Sequence, residues 1–543
     1  MANVRITLPV AYNVAGSRVG GINLNDEPVR LNGQFSPFMR NMVVERTRVR
    51  KFQGYSRLGT GEPMSGIGCE LVNYTDAAGL LHLIALTTTR AYEYDGSSDS
   101  WEDITEVKEE EPVEWSGDED DVFSYDIVTD PAMFINNGGS ALCVVNNVDD
   151  IKYYEGDAGD KFSVLQHTFP SFASCRELCE FWNHFFVFGW TDSSTRARSL
   201  AFSGFADVDD WTGATAGVTT LTDTVGALLK VAKLGDELVI YSEKTISLGR
   251  YIGGYTLYVF PVLAQALGLL SQRAVSNTPR AHFFLGTDLK VYALFKGGSP
   301  VDVGRAVDSV MFAGLDISNK ARIACGYDSS KQRVFFALPS AGEVYPRKLY
   351  AVYTNLDGNP WEFFEFKHDV RGFGVLKRTK SSAYCDDNDW KDVYCNETPA
   401  YCDDMYGFEG ADMTCFITSD GYVFKLDEST GYFDEEEIDC EYQTEDIVLE
   451  DEEDFGRFVW FSFTGKSAIE DVECDVYYSV DGGENWEALA DSPVVLETSW
   501  KTHRLPLDVV SRTIRFRLVQ RGFGDLQLRS NFRIEAQVSP SRD

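Results

Sequence analysis

The sequence predicts an all-β protein: a β-propeller of about seven blades, an extended N-terminal arm and a C-terminal β-sandwich. Three observations predict it. Aromatic residues make up 13% of the chain, and Phe, Tyr, Val and Thr dominate its apolar runs, the side chains that fit a pleated, half-buried surface. A hairpin unit, an apolar run followed by a polar turn and a second aromatic or aliphatic run, recurs seven times. Beyond residue 435 that unit disappears and shorter strands with turn signals take over.

The unit is read at "HLIALTTTRAYEYDG" from His82, "ALCVVNNVDDIKYYEG" from Ala141 and "HFFVFGWTDSSTRARSLAFS" from His184. It returns at "ELVIYSEKTISLGRY" from Glu237, "HFFLGTDLKVYALF" from His282, "RVFFALPSAGEVYPRKLYAVY" from Arg333 and "CFITSDGYVFKLD" from Cys415. The starts are separated by 59, 43, 53, 45, 51 and 82 residues. A four-stranded blade needs a period of roughly 40–50 residues. The first strand of each hairpin is apolar on both faces, as an inner blade strand between neighbours must be. The second alternates, as a strand with one wetter face does. Radial repetition also leaves only short, protected sheet edges. The alternative, ordinary hairpins in one or two sandwiches, has to place more strands than a single sandwich holds.

These readings divide the chain into an arm at 1–60, a propeller at 61–435 with an insertion at 376–413, and a sandwich at 436–543. The sandwich strands are read in "DIVLEDEEDFGRFVWFSFTG", "CDVYYSVDGGENWEAL", "KTHRLPLDVVSRTIRFRLVQR" and "LQLRSNFRIEAQVSP".

Charge is laid out unevenly. The formal net charge is −36, yet residues 1–57 carry nine Lys/Arg against Asp26, Glu27 and Glu45, a local +6 that leaves −42 for the remainder. Acid concentrates in "WEDITEVKEEEPVEWSGDEDD" (101–121) and from Asp427 to Asp454, both read as solvated loops. A body of this sign should repel nucleic acid phosphates. The N-terminal residues hold no basic segment followed by a long apolar core, so no signal peptide is expected. No apolar run reaches the roughly 18 residues of a membrane span, and a soluble, cytoplasmically made protein is expected.

Reactive chemistry is sparse. The 11 cysteines lack disulfide-scaffold or CxxC spacing, and Cys385, Cys395, Cys402 and Cys415 are too far apart, with no histidine among them, for a zinc module. "CDDNDW" and "CDDM" lack the glycine-punctuated spacing of a calcium loop. His82, His184 and His282 open equivalent strands and are assigned packing or hydrogen-bonding roles, since equivalent positions in a ring do not converge on one metal. "SVDGGENW", with Ser479, Asp481, Gly483 and Trp486, resembles the Asp-box of sialidase-type propellers, a turn stabiliser in which aspartate accepts backbone N–H bonds and glycines supply positive φ. No nucleophile elbow, P-loop or dinucleotide fingerprint occurs. No catalytic residue, cofactor or metal is predicted, and the chain is not expected to be an enzyme.

The opening stretch carries a family resemblance. Gly20-Gly21-Ile22-Asn23, Met39-Arg40-Asn41, the basic "RTRVRKFQG" and Gly54-Tyr55-Ser56-Arg57-Leu58-Gly59 resemble the start of bacteriophage tail hub or nozzle proteins, including the family named for stabilising packaged DNA in short-tailed phages. "FSGFADVDDW" (202–211), "DTVGALLKVAKLGDELVIYSEKTISL" (223–248) and "DGYVFKLD" (420–427) extend the likeness over most of 18–430. "ERTRVRKFQG" departs from it, crowding charge where relatives more often show a glycine turn and "RPG". The resemblance implies a virion tail protein assembled in the bacterial host cytoplasm. It implies a six-membered ring below the portal and its adaptor ring, which holds genomic DNA in and conducts it through the lumen without specific binding. Tail fibres, spikes or a needle would be further partners. The basic arm, Arg40, Arg46, Arg48, Arg50 and Lys51, is expected to face a protein partner or a neighbouring acidic subunit. Two other functions are open: a receptor- or glycan-binding propeller, motivated by "GFADVDDW" and "DGNPWEFFEF", and a sialidase-like glycosidase, motivated by the Asp-box.

Overall fold

All seven hairpins are present, each forming the second and third strands of its own sheet. The computed structural model describes the chain except residues 1, 9–20, 29–30, 32–34, 46–47, 77, 130–139, 255, 356–358, 378–411, 428–429, 449–454, 469, 530–531 and 539–543. Strand accounts for 51% and helix for 3%, so the fold is all-β and propeller-like in character. Among the described residues no helix is long and apolar enough to cross a membrane.

One more strand precedes each hairpin. These first strands are Gly68–Thr75, Ser124–Thr129, Glu177–Phe181, Leu228–Leu234, Val275–Asn277, Ala324–Asp328 and Gly372–Leu376. The apolar strand of each hairpin is therefore an inner strand but not the innermost one. Its two edges are paired and its two faces are covered by neighbouring sheets, so every residue of His184–Phe188 and Arg333–Leu338 is buried. The innermost strand keeps one face toward a cavity, and its polar residues hide it from a hydrophobicity reading.

Consecutive sheets share side-chain clusters. Val72, Ile84, Leu142 and Val144 join the first to the second; Cys143, Val145, Phe185 and Val187 join the second to the third. Leu71 and Leu83 of the first sheet pack with Cys415 and Ile417 of the seventh, so the series returns to its start. The fourth strand of the seventh sheet is Gly54–Arg57, paired antiparallel with Val423–Leu426. A segment from the beginning of the chain thus completes the last sheet.

The remaining arm strands enter two larger sheets with the C-terminal segment. Met42–Glu45, Arg48–Lys51 and Ala2–Leu8 lie in one sheet with Gly456–Ser467, Lys501–Ser511, Leu526–Arg529 and Phe532–Val538. Met39–Arg40 extends the other, beside Cys440–Gln443, Thr513–Gln520 and Val472–Ser479. Their apolar faces meet, with the rings of Phe461 and Phe516 stacked 3.9 Å apart. Where it is described, the arm expected at 1–60 is thus paired into sheets. Met39–Arg40, Arg48–Lys51 and Gly54–Arg57 find partner strands some 400 residues away in the chain. The insertion read at 376–413 lies almost wholly outside the described residues; the chain leaves the seventh sheet at Leu376 and re-enters it at Met413.

Candidate functional site

The seven first strands line one central cavity of 390 Å³. Its charges come in matched groups. Glu177, fully buried, accepts from Lys230 Nζ at 3.1 Å, Gln272 Nε2 at 2.7 Å and Ser124 Oγ at 2.9 Å; burial still pushes its carboxyl above the usual range, with Lys230 opposing. Lys233 reaches Asp126 at 2.7 Å and Glu180 at 3.5 Å. Arg273 pairs with Glu70 at 2.8 Å and donates to the carbonyls of Cys69 and Arg371. These contacts run between different sheets, so they fix neighbouring strands against each other. Each of these acids is held by a base and each of these bases by an acid, an arrangement that satisfies buried charge.

A loop from the acidic run 101–121 reaches the far side of the same assembly. Glu119 pairs with Arg322 and accepts from the Tyr345 hydroxyl, Asp120 accepts from Arg322 Nε at 3.0 Å, and Arg371 donates to the Glu119 carbonyl at 2.7 Å. Glu106 is buried and pairs with Lys152 at 3.2 Å. The reading of this run as a solvated loop is therefore corrected in part: Glu106, Glu119 and Asp120 tie sheets together, while Glu109, Glu110 and Glu111 stand exposed.

The cations of the arm point into their own chain. Arg40 lies 3.0 Å from Glu365 and 3.9 Å from Glu441. Glu45 binds Arg48 and, at 2.5 Å, Arg50; burial raises its carboxyl, but the two guanidinium groups hold it below the usual range. Lys51 is fully buried and donates to the Gly522 carbonyl at 2.5 Å, and burial lowers its pKa. Arg46 lies outside the described residues.

The neighbouring motif residues sit at the same joint. Asn41, at φ 53, accepts from the Glu365 N–H at 2.8 Å and donates to the Asp439 carbonyl at 2.9 Å. Tyr55 is fully buried, and its hydroxyl accepts from the His368 N–H at 3.1 Å. Gly21 and Gly54 are demanded by close approach. A Cβ on Gly21 would lie 2.5 Å from the Trp361 carbonyl oxygen, and one on Gly54, at φ +92, 1.9 Å from that of Tyr432.

The turn in "SVDGGENW" is held by short-range hydrogen bonds. Ser479 Oγ donates to Asp481 at 2.6 Å and accepts from the Gly483 N–H at 2.9 Å, while Asp481 accepts from the Asn485 N–H at 3.0 Å. These bonds hold the Asp481 carboxyl well below the usual range. Trp486 lies under Arg517, 5.7 Å from its guanidinium carbon.

The three strand-opening histidines remain apart and each bonds locally. His82 meets Glu93 at 2.5 Å, His184 meets the Ser203 carbonyl at 2.7 Å, and His282 lies between Tyr241 and the Lys233 carbonyl, 3.0 Å from each. Cys385, Cys395 and Cys402 lie outside the described residues, and Cys415 is a buried core thiol. Among the described residues one group, Glu155, Asp157 and Asp160, brings three carboxylates within 4.8 Å; it falls in "EGDAGD", which the sequence reading passed over. The cavity residues were also missed. Charges alternating with apolar residues in "ELCEF" and "LLKVAKL" were the available signal.

No family model matches the chain, and no curated protein matches it. Solved structures with detectable likeness include PorZ, a surface component of the type IX secretion system of Porphyromonas gingivalis, at 11% identity and a TM-score of 0.33 over 73% of this chain and 44% of that one. The Pan2 WD40 domain of Neurospora crassa gives 9% identity and a TM-score of 0.37 over 69% of this chain and 96% of that one. An exo-β-1,3-galactanase from Phanerochaete chrysosporium gives 8% identity and a TM-score of 0.27 over 89% and 100%. The chain spans less than half the length of PorZ and 40% of the extracellular domain of a one-component system from B. thetaiotaomicron. All these TM-scores are low, and none of the likenesses bears on what this chain does.

Proposed function

We propose that this chain is a virion structural protein, the subunit of a tail hub or nozzle ring beneath a portal-adaptor ring, which retains packaged DNA and conducts it during ejection. In this reading the seven small sheets are blades of one closed propeller and the two larger sheets form a β-sandwich. Six copies surround the conduit, with tail fibres, spikes or a needle docking on the outside. The work is done by shape and charge, with no reacting group.

The observation that carries the reading is the placement of the resembling residues. Gly21, Arg40 and Asn41 lie where the N-terminal segment meets the sixth small sheet, at Trp361 and Glu365, and Gly54 and Tyr55 lie where it completes the seventh, beside the terminal pair. Motifs that match because a joint needs them are stronger support for a shared architecture than matches on open loops. The −36 charge supports a wall that does not hold its cargo. Imaging the purified protein with its adaptor ring tests this: closed rings with a lumen are expected, and isolated particles without one would contradict it.

A second reading, a glycan- or receptor-binding surface, is favoured by one observation. Trp182 and Tyr251, both exposed, stack at 5.2 Å, and exposed Phe205 lies against His184 at 5.7 Å. The aromatics of "DGNPWEFFEF" do not add to it, because Trp361, Phe363, Phe364 and Phe366 are buried. Glycan-array binding lost on Trp182→Ala would support this reading, and turnover of a fluorogenic sialoside would support a glycosidase instead.

A further inference from the structure

The outer face of one terminal sheet has the opposite sign to the rest of the chain. In the strand Gly456–Ser467 the residues Phe461 and Phe463 point into the core, so Trp460, Ser462 and Lys466 point out. Ser462 is directly flanked by Arg504 on one neighbouring strand and by Arg533 on the other. Arg529 continues the face, its guanidinium carbon 4.1 Å from the Trp500 ring; Lys466 lies over the same ring at 5.4 Å, and Arg504 lies over Trp460 at 4.3 Å. Glu535 offsets one of these charges, accepting from Arg504 at 2.8 Å. Four cations and two tryptophans against one carboxylate, in a chain of −36, form a surface of the kind that anchors a partner. Arg and Trp supply contact energy at interface centres, and complementary charge sets orientation.

The chain also carries a matching surface. Residues Val107–Lys108 and Glu111–Pro112 pair as a short hairpin whose turn, Glu109 and Glu110, has φ of 52° and 71°. Two left-handed residues make the tight turn whose twist matches its strands, so the hairpin holds Glu109, Glu110 and Glu111 outward in a fixed array. All three are exposed, and Val107 beside them is 48% exposed.

We propose that the basic, tryptophan-bearing face binds the acidic surface of a second copy of this chain, led by the hairpin at 107–112. Face and hairpin are different surfaces, so the contact is head-to-tail, the type that closes into a ring when the rotation permits. The proposal rests on the ring reading above and names the surfaces that make the ring.

The test is sedimentation of the full chain with the charges exchanged. Lys466→Glu with Arg533→Glu, and separately Glu109→Lys with Glu110→Lys and Glu111→Lys, should each raise the concentration of half-assembly by roughly a hundredfold. Combining all five changes in one chain should restore assembly, which a merely misfolded surface would not do. Unchanged circular dichroism shows that the variants fold. Wild-type rings with variants that assemble equally well would overturn the proposal and leave the ring reading standing. A wild-type chain that remains monomeric would overturn both. Binding of a fluorescent DNA duplex that is lost in the Lys466/Arg533 variant would assign the face to nucleic acid and so overturn the second-copy assignment.

Discussion

The arm strands and the outer face of the terminal sheet carry the same residue types and use them differently. Arg40, Arg50 and Lys51 lie beside carboxylates or carbonyls of their own chain and are largely removed from water. Lys466 and Arg529 lie on a tryptophan, and Arg533 is exposed. The lesson is that a cation's role follows from what stands opposite it. A charge buried against an acid holds the subunit together, because losing its partner leaves an unpaired buried ion. A charge resting on a partly exposed ring, as Trp460 and Trp500 are, costs little to keep and is available to a partner.

The largest effect should come from a buried cation. Arg333 lies 3.0 Å from Asp328 and 3.1 Å from Glu362, and Glu362 also accepts the Val44 N–H at 2.7 Å, tying the sixth small sheet to the arm. Arg333→Met strands two buried carboxylates and should cost about 3–5 kcal/mol in chemical denaturation. Because protonation relieves stranded carboxylates, the loss should shrink as pH falls, unlike a simple packing defect. Next comes the joint itself. Gly54→Ala places a Cβ against the Tyr432 carbonyl at a left-handed φ and should cost about 2–4 kcal/mol, read as a lower Tm.

The smallest effect concerns a carboxyl on neither surface. Burial, reinforced by Asp302, raises Asp308 to about 6. A carboxyl whose folded pKa exceeds its unfolded value disfavours the fold once ionised, so stability falls as pH rises from about 4 to 6. Asp308→Asn should remove that loss, stabilising by about 1 kcal/mol at most above pH 7, since the group is half exposed and partly screened. It should change nothing near pH 4, as pH-dependent melting curves would register.

The contrast also explains what could be read in advance. The hairpins were legible because a strand covered on both edges and both faces, such as "HFFVF", is apolar throughout. The first strands were not, because Glu177, Lys230 and Glu70 belong to paired charges whose partners lie 53 to 203 residues away. The arm's basic character was plain, but its direction was not. Arg40 finds Glu365 and Glu441 only once the sixth small sheet and the terminal sheet are in place. The turn in "SVDGGENW" was the opposite case: its hydrogen bonds span no more than four residues and could be read locally, although Trp486 meets Arg517 of another strand.

Thermal unfolding and sedimentation measured on the same two variants test the central claim most directly. Arg40→Glu, which sets a third acid beside Glu365 and Glu441, should lower Tm while leaving folded chains able to assemble. Lys466→Glu with Arg533→Glu should leave Tm within a degree or so and weaken assembly about a hundredfold. If instead Arg40→Glu blocked assembly at unchanged Tm, or the outer-face variant melted early and still formed rings, the division between cations that hold the subunit and cations that join subunits would be wrong.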